Sequence, residues 1–355
     1  MTAGAGPSAL TLRRPDDWHL HLRDGAALQA VLPFTAARFA RAIVMPNLSP
    51  PITTTAAALA YRARILAALP AGSQFEPLMT LYLTDDTDAA EIQRAHRSGH
   101  IYGCKLYPAG ATTHSAAGVT DIRRLDAALE AMMQADLPLQ VHGESTDPTV
   151  DVFDREARFI ESVLAPLSER FARLRIVMEH VSTRIAVQFV RSARSGIAAT
   201  VTPQHLLYNR NALFRGGLRP HLYCLPILKS ETDRLSLVEV LSEGNARFFL
   251  GTDSAPHARH AKENACGCAG VFSAHAALEL YAEAFESEGM LPRLGAFAGE
   301  FGADFYGLPR NESRITLIRE PWSVPRHYPF GEDEVVPMRA GERIAWRLQN
   351  AETAS

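Results

Sequence analysis

The feature that most restricts what this chain can become is a rhythm. Short apolar runs, each closing on a polar residue, alternate with amphipathic or alanine-rich stretches as far as about residue 286. Runs at 42–47, 76–83, 101–107, 137–144, 174–181, 197–206 and 248–253 are mostly apolar and read as strands. The stretches 25–39, 53–69, 85–97, 121–134, 151–171, 183–194, 231–243 and 270–286 read as helices. Asp24 is placed to cap the first of these, and alanine, abundant in the second, loses little entropy in a helix. With a first strand at 17–24 the count comes to about eight strand–helix units, the number that closes a parallel barrel. Strands apolar on both faces suit that architecture, in which helices cover the outside and side chains fill the inside. An open doubly wound sheet fits less well, because no glycine-rich phosphate turn follows the first strand.

The expected fold is therefore α/β, a (β/α)8 TIM barrel forming one domain over 1–355, its core at about 12–300, with short N- and C-terminal extensions packed on it. No internal repeat or linker divides the chain. The C-terminal extension, about 302–355, breaks the rhythm; its two apolar runs, 315–318 and 343–348, read as short strands that pack near the N-terminus.

With 355 residues and a formal charge of −3, acidic and basic groups interspersed, the chain shows no electrostatic footprint for nucleic acid or an anionic membrane. Any anion it binds must be held by a few placed residues. The first ten residues carry no basic segment followed by an apolar run, and no later run is long enough to span a bilayer, so the expected location is cytoplasmic. Of the four cysteines, Cys104, Cys224, Cys266 and Cys268, the last two have one intervening residue, a weak signal for zinc or redox chemistry; reduced thiols fit that compartment.

In a barrel the chemistry gathers where the strands end. Side chains alternate along an extended strand, so in Asp17-Trp18-His19-Leu20-His21-Leu22-Arg23 the residues His19, His21 and Arg23 face one way and Trp18, Leu20 and Leu22 the other. Later strands offer Asn47, aligned with Ile43 and Met45; Lys105, in register with Ile101 and Gly103; and His142, after Gln140. His180 is in register with Ile176 and Met178, and Asp253 with Phe249 and Gly251, with His257 in the loop beyond. Singly, each has a plain explanation: a hydrogen-bonded structural histidine, or an aspartate capping a turn. Lys105 is harder to dismiss, since a lysine inside an apolar barrel must lose its charge, find an anion or be modified. Four histidines, an aspartate and a buried lysine at one rim point to a metal centre, and zinc suits imidazole and oxygen donors. An ammonium cannot ligate, whereas a lysine carbamate presents two oxygens and could bridge two cations.

At these residues the chain resembles the compact bacterial dihydroorotases of the amidohydrolase superfamily, from about Leu12 to the C-terminal region. The resemblance is carried by Asp-Trp-His-Leu-His-Leu-Arg, Met-Pro-Asn, Gly-Cys-Lys-Leu-Tyr-Pro, Val-His-Gly-Glu, Glu-His-Val, Pro-His-Leu-Tyr-Cys-Leu-Pro-Ile-Leu-Lys and Gly-Thr-Asp-Ser-Ala-Pro-His. It implies two Zn²⁺ per subunit, one held by His19, His21 and Asp253 and the other by His142 and His180, bridged by Lys105 as N6-carboxylysine and by hydroxide. It also implies that Arg23, Asn47 and His257 bind a substrate carboxylate, that backbone groups of Leu225 and Ala269 recognise a pyrimidine ring, and that Thr112 and Thr113 close over it from a mobile loop at 108–119. Asp253 is the implied proton carrier. The implied reaction is the reversible interconversion of N-carbamoyl-L-aspartate and (S)-dihydroorotate in de novo pyrimidine biosynthesis, with a homodimer common in the family. Two other readings stand beside it. One is a related cyclic amidohydrolase, hydantoinase- or allantoinase-like, which would share the metal ligands but not the anion site. The other is a barrel without catalysis, which should lack a ligand position.

Overall fold

The structure, a computed structural model, describes residues 7–265 and 267–349; Cys266 lies outside them, as do residues 1–6 of the N-terminal segment read above. An N-terminal strand, β1 (Ala9–Arg13), precedes eight strands that lie side by side in chain order: β2 (Asp16–Leu20), β3 (Arg41–Val44), β4 (Glu76–Tyr82), β5 (Ile101–Leu106), β6 (Leu139–Val141), β7 (Ile176–Met178), β8 (Ile197–Val201) and β9 (Phe248–Leu250). All seven pairings between them are parallel. The ring shuts where β9 runs back to β2, through a bridge between Leu20 and Ser254 and a bond from Asp253 N to His19 O (2.9 Å). Closure thus places His19 and Asp253 side by side.

Helices cover the outside, among them Gly25–Arg38, whose N-cap Asp24 accepts from Gly25 N, and Thr55–Ala67. Against them pack Leu20, Val44, Leu81, Leu106, Val141, Met178, Val201 and Leu250, which join one apolar core. Inside the barrel floor a second cluster contains Ile43, Leu78, Val177, Ala198 and Phe249. The helix Phe301–Tyr306 plugs the floor from below, with Tyr306 stacked on Trp18 at 4.6 Å.

Three details depart from simple alternation. Trp18 belongs to the inner cluster rather than beside Leu20 and Leu22, because the β2–β3 register shifts between Asp17 and Leu20 and turns both Trp18 and His19 inward. Lys105 keeps register with Gly103 but not with Ile101, since β4–β5 pairing skips Tyr102 and leaves Ile101 in the outer core. His180 does not share a face with Ile176 and Met178, which pack outward; its backbone leaves the strand at φ +42°.

Element limits also differ. The run at 197–206 stops at Val201, because Thr202 caps a helix, Pro203–Leu207, that begins with proline. The helical run expected at 151–171 starts at Arg155 and carries a π turn at Ile160–Leu164. In the tail, β10 (Arg314–Ile318) pairs antiparallel with β1 from Ala9↔Ile318 to Arg13↔Arg314, and Arg347–Leu348 adds a third strand, so the tail does pack at the N-terminus. The expected strand at 343–348 splits in two, because Ala345 N bonds the Glu283 carboxylate (2.7 Å) instead of a ladder. Cys104, Cys224 and Cys268 are free thiols.

The floor plug supplies a stability prediction. A Cβ on Gly302 would stand 2.0 Å from Trp18 Nε1, and that indole is held between Tyr306 and Phe249 with 1% of its surface exposed. Gly302→Ala should therefore destabilise the protein by about 1–3 kcal/mol, as overpacking does. Urea unfolding measures it; an unchanged midpoint would mean that the indole can move aside.

Candidate metal centre and active site

At the rim above this floor, His19, His21 and Asp253 each offer one ligand atom within 4.8 Å of the others. His21 Nδ1–H donates to Asn47 Oδ1 (2.8 Å) and His19 Nδ1–H donates to Glu179 Oε2 (2.8 Å), which leaves both Nε2 atoms as lone pairs. Those two nitrogens lie 3.0 and 3.4 Å from the same oxygen, Asp253 Oδ1. Three lone pairs turned on one another is a donor set that a cation resolves, and buried partners on the far side of each imidazole fix its tautomer. Burial first, then the Lys105 charge, holds His19 well below the usual imidazole range, in its ligating neutral form. For Asp253 burial acts upward, but its contact with His21 and the positive charge of Lys105 outweigh it, and its carboxyl lies below the usual range.

His142 and His180 complete the wall, their rings 4.8 Å apart, with His180 5.0 Å from His19. His142 Nε2–H donates to Glu144 Oε2 (2.9 Å), while His180 Nδ1 is buried without a partner among the described residues. Beneath them Lys105 is wholly buried, and among the described residues its Nζ has no hydrogen-bond partner, only the Tyr107 ring at 5.2 Å. Burial pushes this amine down to about 8, against the opposing pull of Glu179 and Asp253. An orphaned amine that reaches its neutral form so readily is what carbamate formation requires.

Further out, Arg23 is half-buried and has no carboxylate partner among the described residues; its Nε donates to Pro256 O (2.9 Å) and its Nη2 lies 3.0 Å from His257 Nε2. A positioned cation without a counter-ion is a place for an anion. Arg23 at φ +59°, His180 at φ +42° and Asp253 at φ +44° are three of the six non-glycine residues with positive φ among those described, strain of the kind that collects at functional sites. The loop 108–119 lies over the cavity: Thr113 Oγ1 accepts from Ala269 N (3.2 Å), and Asn47 Nδ2 donates to Thr113 O (3.3 Å). Thr112, Thr113, Leu225 and Ala269 line the cavity together with Arg23, Asn47, the four histidines and Asp253; Lys105 and His257 are not among its lining residues, and His257 lies against Arg23.

Residues 17–324 match the model of the amidohydrolase family. A dihydroorotase of Cupriavidus taiwanensis is 63% identical over 340 residues, covering 96% of this chain and 99% of the relative. The crystal structure of a dihydroorotase from Campylobacter jejuni superposes with a TM-score of 0.88 at 37% identity, over 96% of this chain and 97% of that one. That of a Saccharomyces cerevisiae dihydroorotase in complex with 5-fluoroorotic acid superposes with a TM-score of 0.89 at 31% identity, over 97% and 99%. This chain belongs to the dihydroorotase family. It is a hydrolase of the amidohydrolase superfamily, whose chemistry acts on a cyclic amide.

Within that family frame, the structure adds groups to which the sequence reading attached no role. Glu179 precedes His180 and is fully buried; besides His19 it accepts from Thr200 Oγ1 (2.6 Å), and Thr200 Oγ1 in turn accepts from His180 N (2.7 Å). Burial pushes its carboxyl up to about 7. Glu144 stands behind His142 in the same way. Both carboxylates lie in segments that carry the resemblance, Glu-His-Val and Val-His-Gly-Glu, so the available signal was a carboxylate one or two residues from a strand-end histidine. Tyr107, whose ring faces Tyr82 at 5.0 Å, also lines the cavity.

Proposed function

We propose that this chain interconverts (S)-dihydroorotate and N-carbamoyl-L-aspartate at a centre of two zinc ions, one held by His19, His21 and Asp253, the other by His142 and His180, with carboxylated Lys105 shared between them. When bound, such cations polarise an amide carbonyl and acidify water enough for attack near neutral pH. The reading rests above all on the convergence of three lone-pair donors and a buried lysine without a hydrogen-bond partner among the described residues on one rim, beneath an arginine that pairs with no carboxylate among them.

The chain's own residues do the rest. Arg23, with Asn47 and His257 beside it, takes the substrate carboxylate, and this charge requirement separates the assignment from hydantoinase-like relatives. Backbone groups of Leu225 and Ala269 meet the ring edge. Thr112 and Thr113 shut the cavity from above, which excludes water other than the reactant. Asp253 accepts the proton of the attacking water as the carbon–oxygen bond forms. It then delivers that proton to the ureido nitrogen as the carbon–nitrogen bond breaks. The condensation is the same path reversed.

The direct test pairs elemental analysis with a dihydroorotate hydrolysis assay on the purified protein. Zinc with dihydroorotate turnover is the expected result; preference for an uncharged hydantoin would remove the assignment. Arg23→Gln should raise KM for dihydroorotate by roughly 10–100-fold, since a hydrogen bond to a charged group contributes about 1.5–3 kcal/mol, with a smaller change in kcat. An unchanged KM would place the carboxylate elsewhere.

A further inference from the structure

Outside the groups assigned above, Lys262 is a buried cation that forms no ion pair with a carboxylate among the described residues. It closes the short helix Arg259–Lys262 and is 4% exposed. Its ammonium donates to three backbone carbonyls: Tyr223 O at 3.0 Å, Cys268 O at 2.8 Å and Gly270 O at 2.6 Å. An ammonium has three N–H bonds, so this one is saturated. Burying an ammonium costs several kcal/mol unless it is compensated, and here three carbonyl dipoles do so, with the Tyr223 ring 6.0 Å from the ammonium.

The three oxygens have a particular arrangement. Cys268 and Gly270 are the two neighbours of Ala269, so the ammonium grips the chain on both sides of that residue. Tyr223 lies two residues before Leu225. Gly270 N also bonds Tyr223 O (2.9 Å), which ties the same two segments directly. Gly270 is also pressed against the 255–257 stretch: a Cβ on it, at φ +150°, would stand 2.5 Å from Ala255 O and 2.9 Å from His257 Cδ2. Ala269 in turn carries contacts from the closing loop and the anion site: Thr113 Oγ1 on its N–H, and His257 Nε2 at 3.0 Å from its carbonyl.

We propose that Lys262 is a positioning residue, holding the backbone at Ala269 and the segment leading to Leu225 at the spacing that receives the substrate ring. The inference rests on the ring-contact role given to those two residues above. Lys262 touches neither substrate nor the reacting atoms. Its effect is exerted through the peptide groups that it clamps, and it sets affinity rather than bond-making.

The test is Lys262→Met, similar in length but without charge or donors, with Lys262→Arg beside it as the variant that keeps a cation. In the zinc-loaded enzyme the methionine variant should raise KM for dihydroorotate by about tenfold or more, the loss of one to two hydrogen bonds. The dissociation constant for 5-fluoroorotate should rise in parallel, while kcat changes by less than about threefold and zinc content is unaltered. Lys262→Arg should show the same pattern at smaller amplitude, and it serves alone if the methionine variant does not fold. Lowered thermal stability with KM and 5-fluoroorotate affinity within twofold of wild type would overturn the proposal and leave Lys262 a purely structural staple. Failure of the wild-type enzyme itself to bind 5-fluoroorotate would instead remove the ring-contact reading on which the proposal is built.

Discussion

Replacing Lys105 with alanine is expected to remove metal and activity together. Its Nζ has no partner among the described residues, yet it lies fully buried beside His19, His180 and Asp253. A bare ammonium there repels any cation at the histidine wall. As the carbamate proposed above, the same side chain would reverse sign, supply two oxygens and be able to hold both ions. Truncation to alanine deletes those oxygens and leaves imidazoles with a single carboxylate. Turnover should fall by roughly 10³-fold or more, equivalent to about 4 kcal/mol of lost transition-state stabilisation. Lys105→Met, which keeps most of the volume, separates this from a packing defect: it should fold as well as wild type and bind as little zinc as the alanine variant. Metal content per chain by elemental analysis is the deciding measurement. Two ions retained in either variant would refute the carbamate, whatever the rate.

How much of this could be read from the chain alone follows from the physics of a closed barrel. Strand-end residues must meet at one rim once the strands are identified, so His19, His21, Lys105, His142, His180 and Asp253 could be nominated from periodicity and polarity without any contact information. What alternation could not supply were the places where the backbone breaks it. The extra residue in β2 that turns Trp18 into the floor, and the left-handed backbone that swings His180 to the rim, depend on partners far along the chain. The same holds for β1, a five-residue strand whose partner, β10, is about 300 residues away. Glu144, Glu179 and Lys262 went unassigned for a different reason. A charged residue near a strand end or in a short helix is commonly a solvated one, and only burial with specific acceptors or donors distinguishes these three.

Asp253→Asn carries the other large expectation, and it separates binding from chemistry. Asparagine keeps the size of the side chain and can still present an oxygen to His19 and His21, so the cavity should persist. It cannot take a proton. In the native site its carboxyl lies below the usual range despite burial, so an ionised carboxylate is present at neutral pH, whereas an amide offers no oxygen that a proton would join. The positive φ at this position aims it across the rim toward both imidazoles, and asparagine tolerates that backbone as aspartate does. Turnover of dihydroorotate should therefore drop by roughly 10²–10⁴-fold, the range that a positioned acid–base group contributes. Affinity for 5-fluoroorotate, which needs Arg23 and the ring-facing backbone but no proton transfer, should change by no more than about threefold. Zinc content must be measured alongside, because Asp253 is also a proposed ligand: a fall in turnover matched by a fall in bound metal would assign the residue to ligation alone. Unchanged turnover with full metal would remove it from the reaction, and the proton would then have to travel through another group at the rim.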